Sequence, residues 1–245
     1  MAEKRILIVH PYDKTTSFLD RIKNHLQTIF ENDVHYFSVK PNDESHNQCL
    51  ERISTHLSSG LIIFLGHGRS DKLYGSKADE YSAFVSADAV AEFPEKYYYN
   101  DNFINEANVE IFSGKKVFCL ACNSNDKIAN YALDKEVKSF LGFGDIPTSP
   151  EELIDDGIEN VSKNIVKSMK TELIYIIKRS LVNGIAKNFT FEQLQNLIDF
   201  IINQRISDIL INQKEFKDRY TLTDYLYFLK KDIKIKGNKK LKLIE

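Results

Sequence analysis

With 245 residues, the chain can form one large domain or a core domain with an appendage. Its 42% hydrophobic and 28% charged residues are those of an ordinary globule. A formal net charge of -2 gives no general reason to expect nucleic acid or a membrane surface as a partner.

No run approaches the roughly 20 apolar residues of a membrane span. The N-terminus enters a strand pattern directly, with no signal-peptide core. Cys49, Cys119 and Cys122 are too few for a disulfide framework. A reducing cytoplasm is the expected location, where a working cysteine is a thiol.

Residues 5–10 form a β-branched run closed by Pro11, and Phe18, Ile22, Leu26 and Ile29 then recur at helical spacing. Residues 34–39 read as a second strand, and Cys49, Leu50, Ile53 and Leu57 line a second helix. A third strand, 61–65, ends at Gly66-His67-Gly68. After an irregular, tyrosine-rich stretch, a fourth runs from Val117 to Ala121 and stops at Cys122. A short helix (127–133) and a fifth strand (137–143) follow. Alternation of this kind predicts an α/β fold: a mainly parallel sheet with right-handed crossovers and flanking helices.

Beyond residue 148 the character becomes helical, so the division expected is an α/β domain at 1–148 and a helical C-terminal region at 149–245. Ser149-Pro150-Glu151-Glu152 carries an N-cap, a first-turn proline and a capping-box glutamate. Thr190-Phe191-Glu192-Gln193 opens another helix with a capping box, and Thr221 is a candidate cap for a third. The tail alternates around Gly237-Asn238 and predicts a small β-hairpin whose lysines guard an edge.

Chemistry concentrates at two strand ends. His67 lies between glycines that permit a sharp turn and leave room for a substrate main chain. Alone, it reads most simply as a turn histidine. Cys119 falls inside the strand pattern, as a buried thiol does, whereas Cys122 sits where Asn123-Ser124-Asn125-Asp126 begins. That polar stretch can cap the next helix, and a helix N-terminus favours a thiolate. Cys119-x-x-Cys122 also admits a redox pair or half a zinc site. However, thioredoxin-type pairs open a helix, and no second Cys/His pair has finger-like spacing. No metal or cofactor is expected.

The order Gly66-His67-Gly68, then Ala121-Cys122-Asn123-Ser124, then Phe140-Leu141-Gly142-Phe143-Gly144 resembles the caspase-like (clan CD) cysteine peptidases. It is most similar to their bacterial CHAT-type members. The resemblance spans roughly residues 5–148 and rests on short motifs read together. It implies Cys122 as nucleophile and His67 as general acid/base, a hydrolase cutting protein substrates in bacterial antiviral defence or cell death. The backbone N–H groups of Gly68 and Cys122 would be oxyanion donors, each worth about 3 kcal/mol.

Asp145 and Ser124 are the candidate substrate-binding residues. Asp145 could pair with a basic residue before the scissile bond, though an exposed loop aspartate is the plainer reading. No acidic residue directly precedes Cys122, unlike in arginine-specific relatives. A regulatory protein partner is expected on the C-terminal helices. The alternative is a catalytically inactive caspase-like interaction module.

Overall fold

The computed structural model describes residues 4–147 and 163–245. Its strands are β1 (Ile6–Pro11), β2 (Val34–Val39), β3 (Leu61–Leu65), β4 (Gly68–Arg69), β5 (Lys72–Leu73), β6 (Ile104–Asn105), β7 (Lys116–Leu120), β8 (Ser139–Gly142) and β9 (Lys234–Gly237). The helices are α1 (Asp20–Ile29), α2 (Asp43–Thr55), α3 (Ala87–Glu92), α4 (Lys127–Asp134), α5 (Lys163–Ala186), α6 (Phe191–Asn212) and α7 (Arg219–Lys231). The main sheet has the order β2-β1-β3-β7-β8-β9; β9 alone runs antiparallel, on β8. A second, small sheet joins β4, β5 and β6. The fold is α/β, as the alternation predicts.

Every residue of β1, β3, β7 and β8 is buried, because helices cover both sheet faces. Successive side chains then divide between two cores. Ile6, Ile8, Ile63, Leu65, Phe118 and Leu120 face α1, α5, α6 and α7, meeting Ile22, Met169, Leu173, Leu194 and Leu226. Leu7, Val9, Ile62, Phe64, Val117 and Cys119 face the other way, onto Cys49 and Ile53 of α2 and Ile128 and Ala132 of α4. Truncating one such side chain, Phe64 for example, costs roughly 3–5 kcal/mol through lost transfer energy and the cavity left behind.

The helices that follow residue 163 therefore share a core with the sheet. The expected boundary at 148 separates a sheet-building half from a helical half, with one apolar cluster running through both. The helix start at Ser149-Pro150 lies outside the described residues. The capping box at Thr190 is present, with Gln193 N–H donating to Thr190 Oγ1 at 3.2 Å and Gln193 Oε1 accepting from Thr190 N–H at 2.9 Å.

Two local expectations are corrected. Thr221 lies within α7, whose N-cap is Asp218. The tail forms no hairpin: β9 pairs with β8 as the sheet's edge strand, and Lys242 bridges to Thr190 instead of returning along β9. A free β8 edge with ladder groups to satisfy outcompetes a local two-stranded ribbon. Lys234 and Lys236 do guard that edge, as their alternation implied.

Buried imidazoles give the fold an acid limit. His56 caps the C-terminus of α2 and is 3% exposed, and burial, with Lys115 and Arg52 nearby, holds its pKa down to about 4. His10 and His46 are lowered as well, in each case chiefly by burial. In the unfolded chain these groups take up protons below about pH 6.5, while the folded chain resists, His56 until about pH 4. Stability is thus complete above pH 6.5 and falls as the pH drops toward 4, His56 alone contributing up to about 3 kcal/mol of the loss. Urea midpoints measured from pH 7.5 to 4.5 should fall steadily, and His56→Gln should flatten the curve.

Candidate active site

Parallel strands β3 and β7 pair in the register Leu65↔Leu120, and Gly66 N–H donates onward to Leu120 O at 3.2 Å. Past that pair the two strands end together, β3 leading into Gly66-His67 and β7 into Ala121-Cys122. The turn needs its glycine: a Cβ on Gly68 would lie 3.1 Å from Ala121 Cβ and 3.2 Å from Leu73 Cδ2. His67 and Cys122 line one narrow slot, walled by Phe18, Leu19, Ile146 and Leu173. Its free volume is about 10 Å³, close to the room of one water.

The neighbours of His67 come from the start of the chain. A 3-10 turn at Lys14–Leu19 follows β1, capped by Asp13, whose Oδ1 accepts from Thr15 N–H and from Thr15 Oγ1 at 2.7 Å each. Thr15 Oγ1 lies 2.6 Å from His67 Nε2. The hydroxyl proton is committed to Asp13, so His67 must supply the proton of the second bond. The neutral ring then carries its hydrogen on Nε2 and presents the lone pair of Nδ1. Asp13 Oδ2 is a further 3.6 Å from Nε2, and Asp13 is only 9% exposed.

His10 is structural. It is buried, within 3.3 Å of Asp20 and 3.5 Å of Thr16, and braces the turn that carries Thr15.

Cys122 is half-buried and its thiol donates to Ile146 O at 3.3 Å. The loop that follows is stitched to the end of β8: Asn123, left-handed at φ 53°, donates to Gly144 O at 2.8 Å, and Asn125 N–H to Phe143 O at 3.1 Å. Cys119, by contrast, is fully buried in β7, and burial pushes its thiol pKa well above the ordinary range. Cys49 is raised for the same reason. The two halves of the Cys-x-x-Cys spacing thus sit in different surroundings. No cluster able to hold a metal ion occurs among the described residues.

The remaining candidates separate. Gly68 brings its backbone to the same edge as Cys122, and Asp145 is exposed on the loop after β8, lining a large cavity beside the slot. Ser124 is different. It is completely buried, its Oγ donating to Cys119 O at 2.9 Å and accepting from Phe143 N–H at 3.0 Å. It ties β7 to β8 and has no surface to offer a substrate. Asp13 and Thr15 carry no motif of their own. Their only sequence signal is position, since a loop leaving β1 must emerge at the edge where β3 ends.

No family model matches the chain, and no curated protein matches it. Among solved structures, one described as a putative phosphofructokinase from Staphylococcus aureus aligns over 96% of this chain and 99% of that chain, at 9% identity and a TM-score of 0.27. Similarity at that level carries no argument about function.

Ser124→Ala should leave Cys119 O and Phe143 N–H short of a partner in a buried site, costing roughly 1–3 kcal/mol. Urea denaturation reads this as a lower midpoint, and an unchanged midpoint would contradict the structural role.

Proposed function

We propose that the chain is a caspase-like cysteine endopeptidase with Cys122 as nucleophile and His67 as its base and acid. The observation that carries this reading is the hydrogen-bond path from His67 Nε2 through Thr15 to Asp13. It engages Nε2 on the carboxylate side of the ring, which makes Nδ1 the proton-accepting nitrogen of a residue that lines the same slot as Cys122.

In this reading His67 Nδ1 takes the thiol proton as Sγ attacks the scissile carbonyl. The new S–C bond forms and the carbonyl oxygen becomes an oxyanion, held by the backbone N–H groups of Gly68 and Cys122. Collapse breaks the C–N bond, and the leaving amine receives the proton from His67. Water, deprotonated by the same imidazole, then splits the thioester and restores the thiol. Asp13, through Thr15, is a positioning residue that fixes the tautomer and steadies the imidazolium.

Regulation is part of the proposal. A slot with room for one water must widen before a peptide main chain can enter, so a latent form opened by a partner fits the geometry. Phe200, Ile211 and Tyr227 lie exposed on α6 and α7, where a protein partner is expected to dock. The substrates proposed are proteins, and the setting is bacterial antiviral defence in the cytoplasm. No described helix is long and apolar enough to cross a membrane.

The same narrowness favours a second reading, a catalytically inactive interaction module whose Cys122 thiol stays bonded to Ile146 O.

Cys122→Ala should reduce cleavage of a peptide library by at least about a thousandfold with an unchanged circular dichroism spectrum. Cleavage at the wild-type rate by that variant would end the peptidase reading. Asp13→Asn should lower kcat by about tenfold or more and move the pH profile of kcat/KM to lower pH, since the charge beside the imidazole is gone. A purely structural aspartate would shift stability and leave the profile in place.

A further inference from the structure

Away from the slot, α1 and α5 pack against each other and leave a groove of about 450 Å³ between them. Its floor is apolar, from the buried Ile174 and the half-buried Val182. Its rim is cationic: Arg21 enters from α1, and Lys178 and Arg179 from α5. His25, one turn on from Arg21, adds an imidazole. No aspartate or glutamate is among the described lining residues.

These charges stand unanswered within the described residues. Arg21 and Lys178 make no ion pair there. Arg179 donates to the neutral Tyr175 hydroxyl at 2.6 Å, which fixes the guanidinium at the groove without cancelling its charge. The carboxylates nearest along the two helices are committed elsewhere, Asp20 to Lys23 at 2.9 Å and Glu172 to Arg205 at 2.7 Å. Cations gathered in this way repel one another and attract a counter-charge.

A second observation marks the same place. Burial, and after it the charge of Lys178, lower the pKa of His25. The field of an ammonium on α5 thus reaches an imidazole on α1. At pH 7 that ring is neutral and has one N–H to donate.

We infer that the groove binds a phosphate monoester of a small organic molecule, its phosphate among Arg21, Lys178 and Arg179 and its carbon skeleton on Ile174 and Val182. Guanidinium groups match phosphate oxygens two at a time, and an ammonium adds a compact point charge. A carboxylate brings one negative charge to three cations, whereas a phosphate monoester brings about 1.5 to 2 at pH 7. The volume is that of an ordinary small-molecule pocket. A protein partner would instead cover a broad patch of about 800 Å². None of the groove residues lines the slot, so the inference is independent of the peptidase reading.

The full-length chain is titrated calorimetrically, in phosphate-free buffer of low ionic strength, with phenyl phosphate, inorganic phosphate, benzoate and an acetylated, amidated tetraglutamate. Phenyl phosphate should bind about tenfold or more tighter than benzoate, and tighter than inorganic phosphate, which has no skeleton for the apolar floor. Arg21→Gln and Lys178→Gln should each weaken it by about tenfold. Lys135→Gln, at an exposed position after α4 on the opposite sheet face, should leave it unchanged. In the unmutated chain the His25 ring resonances, assigned through His25→Gln, should shift as phenyl phosphate is added.

Equal affinity for benzoate or inorganic phosphate, full affinity in both groove variants, or binding that leaves the His25 resonances in place overturns the proposal. Tighter binding of the tetraglutamate would overturn it in favour of an acidic protein partner.

Discussion

Everything that brings the site together depends on one pairing, the parallel ladder between β3 and β7. Both strands are buried on both faces, so their register cannot slip. A shift of one residue would send Phe118 and Leu120 into the space that Val117 and Cys119 fill, and the two faces hold helices of different shape. Locked in this way, the strands end together. The ladder bond from Gly66 to Leu120 is the last before the chains part, and the side-chain-free Gly68 lies against Ala121 in the space that opens. A histidine and a thiol placed by two rigid strands need no loop to find each other.

What could be read from residues alone follows from this rigidity. Apolar runs of strand length, with a reactive residue at the end of each, marked the edge. The polar break after Cys122 distinguishes it from Cys119 in the sequence itself. Asp13 and Thr15 were not legible, because their nearness to His67 depends on strand order. Only with β1 beside β3 does the 3-10 turn after Pro11 reach the imidazole. Ser124 misled for a related reason. In the motif it stands next but one to Cys122, yet the left-handed Asn123 reverses the chain and drives Ser124 down between β7 and β8. The tail misled because alternation reports a strand without naming its partner.

The C-terminal region is better understood as part of the sheet than as an attachment to it. β9 closes the edge at β8, and the fully buried Lys116, at the start of β7, donates to Lys242 O at 3.0 Å with Glu245 at 3.5 Å. A buried ammonium is tolerated only with such partners, and its pKa is lowered by burial even so. The base of the central strand is thereby tied to a segment more than a hundred residues away. Loss of that segment would leave a charge in the core as well as an open edge.

The same coupling operates at the other end of the sheet. Asn125 Nδ2 donates to Asp232 O at 2.5 Å, and Gly144 is pressed so closely on Asp232 that a Cβ would lie 2.4 Å from the aspartate's own. The loop carrying Cys122, the loop carrying Asp145 and the end of α7 are thus clamped at one point. A helix held there cannot move without shifting the loop that follows Cys122. A partner binding the exposed side of α6 and α7 would consequently act on the wall of the large cavity and on the loop after Cys122 through the same contact. The arrangement links the end of α7 to the loop after Cys122 through a few hydrogen bonds and one missing side chain.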